Sequence, residues 1–402
     1  SGVGHQGKVG MYLHNCNEYM ETHFAALKMR AVPINVNYRY TTTELEYLLD
    51  NCDAEGLVYH ARYREQVREL MSRLPGLKAV LEVGDGTAGV SDFAVGYESA
   101  LAGAVPAEPV ERSAEDLYMF YTGGTTGMPK GVMYHCGTLQ NAFLKTFERL
   151  EMQKPQSTAE LVEKVLFIND NGGTPVSLPA CPLMHATGMW IGAVGIQNLG
   201  ATIVTIQETG LDAARILSEV QAQAVTNLTI VGDAFARPLV EELDRAAAAG
   251  SPYDLSSLKT VGSSGTMWSQ EVKDGLLRHA DVALRDTIGS TEGGMGMSES
   301  TRGQSATTAR FDLNEGVRVF DENDVRVTPG SGVSGQVATS EMVPVGYYKD
   351  PEKSARTFRE IDGVRYSFPG DWAMVLEDGT IHLLGRGSAC INTAGEKVYP
   401  EE

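Results

Sequence analysis

The chain has 402 residues, enough for two or three domains around a large core. Hydrophobic residues make up 42% and charged residues 21%, the profile of a soluble globular protein. A formal net charge of −19 argues against nucleic acid or an anionic membrane surface as partner, since both require basic patches. The cysteines (Cys16, Cys52, Cys136, Cys181, Cys390) are scattered, with no CxxC, and point to reduced thiols in a cytoplasmic protein. No apolar run approaches the length of an integral membrane segment. Ser1 is not an initiator methionine, so the natural start is expected upstream and a targeting peptide is left open.

In chain order, residues 8–13 predict a strand. Residues 18–31 predict a helix on the spacing of Tyr19, Phe24, Leu27 and Met29, and 33–37 return to extended structure. Thr43 and Glu46 fit a capping box ahead of a helix over 45–50. Strands at 56–60 and 78–83 flank a helix at 64–74, and this alternation implies a parallel sheet covered on both faces. Residues 84–114 are rich in Gly, Ala, Pro and acid and predict a connection. GxGxxG matches begin at Gly2 and Gly84. Both predict turns, because a dinucleotide site needs such glycines to open a helix, and Asp85 would repel a phosphate.

The stretch that organises the chain follows: Tyr121-Thr122-Gly123-Gly124-Thr125-Thr126-Gly127-Met128-Pro129-Lys130-Gly131. An apolar run leads in from Leu117, and a helical pattern begins near Gly137. Glycines tolerate φ > 0 and carry no Cβ, so backbone N–H groups can turn toward an anion. Thr hydroxyls add donors and Lys130 a point charge, which together make a grip on polyphosphate. It is not a Walker loop, which needs Lys directly after the last Gly and then Ser or Thr. The alternative is a flexible surface turn.

Residues 154–171 predict a surface insertion. Strands follow at 201–206, 226–231, 258–261 and 283–288, with helices at 187–199, 212–223, 233–249 and 270–279. After Glu292 come short strands at 317–320, 325–327, 335–339, 366–368, 372–376 and 380–384, an antiparallel or barrel-like unit.

Further segments carry chemistry. Asp286-Thr287-Ile288-Gly289-Ser290-Thr291-Glu292 lies at a strand's C-terminal end, where open α/β sheets bind ligands. Thr291 can donate to a phosphate oxygen and Glu292 can hold a hard cation, although a polar turn explains the pair equally well. Asp371, after a Pro-Gly turn, can accept both hydroxyls of a ribose or simply cap that turn. Val261-Gly262-Ser263-Ser264-Gly265-Thr266 is a strand running into a small-residue turn. Pro182-Leu183-Met184-His185-Ala186-Thr187-Gly188-Met189-Trp190 holds a lone histidine without metal-ligand spacing. Gly188, Gly192 and Gly195 fall on one face of the helix expected there. Either tight packing or an acyl-chain slot against that face explains them.

Taken together, these segments resemble the adenylate-forming superfamily, which includes acyl-CoA synthetases, luciferases and peptide-synthetase adenylation domains. Val36-Asn37-Tyr38-Arg39-Tyr40, Val345-Gly346-Tyr347-Tyr348-Lys349-Asp350 and Gly395-Glu396-Lys397-Val398-Tyr399-Pro400 look like actinobacterial acyl- and steroid-side-chain CoA ligases in particular. The resemblance implies an α/β fold: the large N-terminal domain of these enzymes, with two βα-type sheet subdomains and a small distorted β-barrel subdomain. It implies an adenylation core over 1–385, mainly β over 295–385, with 386–402 as hinge and first residues of a C-terminal domain.

The implied chemistry is ATP-dependent activation of a carboxylic acid through an acyl-adenylate, then transfer to coenzyme A. Fatty, aryl and steroid-side-chain acids are the expected class. By resemblance Thr122, Gly123, Gly124, Thr125, Thr126, Gly127 and Lys130 hold phosphate, Thr291 meets the α-phosphate, and Glu292 holds Mg²⁺. Ser264, Gly265 and Thr266 pack on adenine, and Asp286, Thr287, Ile288 and Gly289 complete the nucleotide site. Asp371 and Arg386 address the ribose. His185, Gly188, Trp190, Gly192 and Gly195 border the acyl pocket, with Lys130, Thr291, Glu292 and His185 as the catalytic set. Ser388 is the implied hinge, and the family's C-terminal lysine has no counterpart before Glu402. These residues alone are therefore expected to bind ATP but adenylate poorly. A homodimer is the default assembly. The rival expectations are an acyl-AMP ligase serving a carrier protein and a nucleotide-binding relative without catalysis.

Overall fold

A computed structural model describes residues 2–87, 89–124, 127–207 and 210–386, and the backbone of 391–393 and 396–398. Thr125, Thr126 and Ser388 lie outside the described residues. The first sheet is built from β1 (Lys8–Tyr12), β2 (Val32–Asn35), β3 (Ala54–His60), β4 (Ala79–Val83) and β5 (Val95–Gly96). All its pairings are parallel, in the order β2-β1-β3-β4-β5. Parallel neighbours need a crossover; the helices Asn17–Lys28, Thr42–Asn51 and Arg64–Met71 supply those from β1 to β4, and Tyr97–Ala102 follows β5. The capping box sits two residues earlier than expected. Thr41 accepts from the Glu44 backbone N–H, and Glu44 accepts from the Thr41 N–H at 2.9 Å. Thr41 rather than Thr43 has the extended backbone a cap needs. The connection expected over 84–114 holds β5 and a short helix, whose Tyr97 is buried.

β6 (Leu117–Gly124) and β7 (Gly127–His135) pair antiparallel, which sets Thr122 opposite Lys130 and Gly124 opposite Gly127. The second sheet begins with β8 (Val176–Pro179), β9 (Thr202–Ile203), β10 (Asn227–Ile230), β11 (Thr260–Ser264) and β12 (Ala283–Ser290), paired parallel. β13 (Gly293–Ser300) then turns back antiparallel on β12. Gly293 makes that reversal possible: its φ is +152°, and a Cβ there would come within 2.5 Å of Thr339.

The same sheet continues through β14 (Arg310–Leu313), β15 (Val317–Phe320) and β16 (Ser334–Thr339). β17 (Gly346–Tyr347) leaves it to pair with β7. β18 (Phe358–Ile361), β19 (Val364–Ser367), β20 (Asp371–Val375) and β21 (Ile381–Arg386) complete it with antiparallel pairings. The antiparallel unit is thus hydrogen-bonded to the second parallel sheet through β13 and β14. The expected strand at 325–327 reduces to a single bridge between Phe320 and Arg326. The stretch 154–171 is a capped helix, Thr158–Asp170, whose Ile168 packs on Phe147 and Leu199.

The helix expected over 187–199 is a π-helix, Thr187–Val194, followed by one α turn, Gly195–Gln197. Single π segments concentrate at functional sites, and this one faces the cavity described next.

Candidate active site

Three side chains from three distant segments meet at one end of a cavity of ≈ 1430 Å³. Lys130 stands on β7 opposite Thr122. Its ammonium lies 3.3 Å from Glu292 Oε1 and 3.2 Å from the Tyr347 hydroxyl. That hydroxyl donates to the same Glu292 oxygen at 2.7 Å. Tyr347 reaches the pair because β17 adds to the free edge of β7. Glu292 occupies the β12–β13 turn, where its N–H donates to Ser290 Oγ at 3.1 Å. Next to it, the Tyr134 hydroxyl donates to the Thr291 carbonyl at 2.8 Å.

The pair does not shift as an isolated ion pair would, because both pKa values fall. Burial would raise the Glu292 carboxyl, but the Lys130 charge and the Tyr347 and Ser290 hydrogen bonds outweigh it. Burial lowers Lys130, a second cation at Lys353 adds to this, and Glu292 only partly compensates. A site left with surplus positive charge at a cavity wall favours an anion.

Most sequence-predicted nucleotide residues face the same cavity. Thr122, Gly123, Ser264, Gly265, Thr266, Thr287, Gly289 and Thr291 line it. Asp371 and Arg386, partners across β20 and β21, line it too and lie 3.4 Å apart. Asp286 and Ile288 also border the cavity, but they are the buried positions of β12, alternating with the partly exposed Thr287 and Gly289. Asp286 pairs there with the buried Lys273 at 3.0 Å, so its carboxylate belongs to the core beneath the site. Burial raises its carboxyl above the usual range despite Lys273.

The acyl-pocket set divides. His185, Trp190 and Gly195 line the cavity. The Trp190 indole donates to the Tyr118 hydroxyl at 3.2 Å and is edge-on to Tyr134, which holds the ring still. The His185 imidazole is pushed below its ordinary pKa by burial first and by Arg39 second, so it is neutral at pH 7. Gly188 and Gly192 point elsewhere. A Cβ on Gly188 would run into the Pro182 carbonyl, and one on Gly192 would lie 2.8 Å from Pro179 and 3.2 Å from Thr229. They serve tight packing, and the wider π turn removes the single face that α spacing implied.

Tyr347, Gly262, Ile191 and Arg149 line or complete the site without having been singled out for it. Gly262 lies across from Ile191, and a Cβ there would find only the Ile191 Cγ2, at 3.7 Å. Its cavity-side position follows from strand alternation with Ser264, so that signal was present in the sequence. No spacing rule could reach Tyr347 or Arg149.

Among the described residues no group of three or more His, Cys, Asp or Glu is placed to hold a metal. Glu292 alone fits a Mg²⁺ that arrives with phosphate, since that ion commonly takes one or two carboxylates plus phosphate oxygens and water. No helix among the described residues is long and apolar enough to cross a membrane.

The profile of a known family, AMP-binding enzyme, matches residues 1–348. The chain belongs to the AMP-binding enzyme family. The 3-oxocholest-4-en-26-oate–CoA ligase of Rhodococcus rhodochrous is 39% identical over 423 residues, covering 100% of this chain and 72% of that protein. The medium-chain acyl-CoA ligase Mig of Mycobacterium avium is 35% identical, covering 99% and 71%. Solved members share the fold. The anthranilate CoA ligase AuaEII in complex with anthranoyl-AMP superposes with a TM-score of 0.81 at 21% identity, covering 99% of this chain and 72% of its own. ATP-bound MatB from Rhodopseudomonas palustris gives 0.78 at 23% identity, covering 100% and 72%. The α/β architecture seen here is therefore that of the N-terminal domain of AMP-binding enzymes.

Proposed function

We propose that this AMP-binding family member is an ATP-dependent acyl-CoA ligase for fatty, aryl or steroid-side-chain acids. The observation that carries the reading is the Lys130–Tyr347–Glu292 cluster at the end of a cavity that also holds Thr291, Asp371 and Arg386. Relatives named as fatty-acid and steroid-side-chain CoA ligases support the substrate class.

In the first half-reaction a carboxylate oxygen of the acid bonds to the α-phosphorus of ATP, and the bond to pyrophosphate breaks. In the second, the coenzyme A sulfur bonds to the acyl carbon, AMP leaves, and the thiol proton passes to solvent. A carboxylate attacks a polyanion slowly unless charge is shielded, so positioning and neutralisation are the main tasks. Lys130 supplies a cation to the phosphates, together with the hairpin amides and Thr122. Thr291 donates to the α-phosphate. Glu292 holds Mg²⁺, which when bound neutralises phosphate charge. Tyr347 fixes the Glu292 carboxylate through its hydroxyl. Ser264, Gly265 and Thr266 bound the adenine, and Asp371 and Arg386 take the ribose hydroxyls. Trp190, Ile191 and Gly262 line the wall along which the acid lies, with neutral His185 near its carboxylate.

The free thiols at Cys16, Cys52, Cys136 and Cys181 support a reducing, cytoplasmic setting. Incubation of the full-length protein with ATP, coenzyme A and a panel of acids tests the reading. Thioester formation is expected. Adenylate without thioester would favour transfer to a carrier protein, and neither product would leave a nucleotide binder.

A further inference from the structure

Two lysines share the ring of Tyr347. The Lys130 ammonium lies 4.3 Å from the ring centroid and the Lys353 ammonium 5.9 Å. They differ in their partners. Lys130 faces Glu292 at 3.3 Å. Arg386, a further cation on the cavity wall, faces Asp371 at 3.4 Å. Lys353 forms no ion pair with any described residue. Asp350 accepts at 3.0 Å from its backbone N–H and not from its ammonium.

The backbone around Lys353 is fastened to the residue that carries the ring. Its helix, Pro351–Thr357, is capped by Asp350. Within it, Ser354 accepts from the Tyr347 N–H at 2.8 Å and donates to the Asp350 carbonyl at 2.6 Å. Burial is the first cause that lowers the Lys130 pKa and the Lys353 charge the next, so each ammonium lies in the field of the other. Two like charges served by a single carboxylate repel until a further anion joins them. Lys130 lines the cavity and Lys353 stands outside its lining. An anion that reaches Lys353 must therefore extend past Lys130. AMP ends at its α-phosphate, whereas ATP and free pyrophosphate carry the extra length.

We infer that Lys353 is a second cationic ligand for the pyrophosphate portion of ATP, and that it serves the adenylation half-reaction alone. As a carboxylate oxygen bonds to the α-phosphorus, the bond to the bridging oxygen breaks and its electron pair stays with pyrophosphate. Negative charge grows on that leaving group, and a cation already fixed beside it stabilises the change. The acyl-adenylate has lost this portion, so transfer to coenzyme A draws nothing from Lys353. The inference rests on the ligase reading for the reaction and adds to it a residue that holds the leaving group.

The test is calorimetric binding of pyrophosphate with Mg²⁺, and of AMP, to the full-length protein. Pyrophosphate exchange and thioester formation from a preformed acyl-adenylate are measured beside it. Lys353→Met keeps most of the side chain's length and removes its charge. A hydrogen bond from a charged donor is worth about tenfold or more in affinity. Lys353→Met should therefore weaken pyrophosphate binding at least about tenfold and slow exchange. AMP affinity and the rate from the preformed adenylate should stay at the wild-type level. Lys353→Arg should keep most of the pyrophosphate affinity. Unchanged pyrophosphate affinity in Lys353→Met, or an equal loss for AMP and pyrophosphate in a protein with normal thermal unfolding, would overturn the inference. Should Lys353→Met not fold, Lys353→Gln takes its place with the same expected loss, and unchanged pyrophosphate affinity there counts against the inference. Failure of the wild type to form adenylate or thioester from any acid, with the pyrophosphate loss intact, would instead remove the ligase reading alone.

Discussion

Lys130 and Glu292 stand 162 positions apart in the chain, yet their charged atoms lie 3.3 Å apart. Tyr347, a further 55 residues on, donates its hydroxyl to the same carboxylate oxygen. The cluster joins a hairpin, a sheet turn and an added edge strand, so it exists only when all three are assembled.

Tyr347→Phe removes that hydroxyl while keeping the ring stacked under Lys130, whose ammonium sits 4.3 Å from its centroid. A hydrogen bond to a charged group is worth about 1.5–3 kcal/mol, so adenylation should fall about tenfold or more with little loss of stability. Pyrophosphate exchange measures it, and an unchanged rate would remove Tyr347 from the site.

Gly192 and Gly262 should part company. Gly192→Val forces a side chain against Pro179 and Thr229 and should cost about 1–3 kcal/mol of stability by overpacking. The range of acid lengths accepted should not move. At Gly262 an added Cβ meets only Ile191, at 3.7 Å, so Gly262→Ala should fold normally while narrowing the cavity and favouring shorter acids. A chain-length profile of both variants, beside their thermal unfolding, checks this.

Lys273→Met should destabilise the chain by about 3–5 kcal/mol, because Asp286 is then left in the core without its cation. Replacing Asp286 by Asn as well should recover much of the loss. Denaturant unfolding reports the stability, and calorimetry of the double variant should find ATP affinity near that of the wild type. A large loss of ATP affinity with intact stability would return Asp286 to the nucleotide site.

Acid sensitivity should trace in part to Glu82 on β4. Burial would raise its carboxyl, but hydrogen bonds from Arg64, Ser91 and Tyr59 and the Arg64 charge hold it near about 2 against an ordinary 4.5. The folded value lies below the unfolded one. The stabilisation is therefore fully present above pH 4.5 and is lost as pH falls toward about 2. Glu82→Gln should lower the unfolding temperature at pH 7 and flatten its fall between those limits. A parallel fall in both proteins would contradict the assignment.

Much of the fold was legible. The helix at Gln270–His279 and the strand at Val317–Phe320 fell where apolar spacing put them. The cap at Thr41 was misplaced because three consecutive threonines, Thr41, Thr42 and Thr43, offer the same side chain and only backbone φ and ψ choose among them. β7 was missed because Gly, Met, Pro and Lys carry weak strand propensity, and its pairing with β6 and β17 overrides that. The π-helix was invisible because no spacing rule separates it from an α-helix at this length.

The order of residue types along the chain was enough to place this protein among adenylate-forming enzymes. Phosphate chemistry demands glycine backbone, hydroxyls, a cation and a carboxylate, and each leaves a local mark. Direction was another matter. Whether Asp286 faces nucleotide or Lys273, whether Gly192 or Gly262 opens the acyl path, and which aromatic ring completes the Lys130–Glu292 pair all depend on strand facing and on which edges meet. Those are set by packing between separate segments, from 13 positions apart for Lys273 and Asp286 to 217 for Lys130 and Tyr347, and no short stretch of chain contains them.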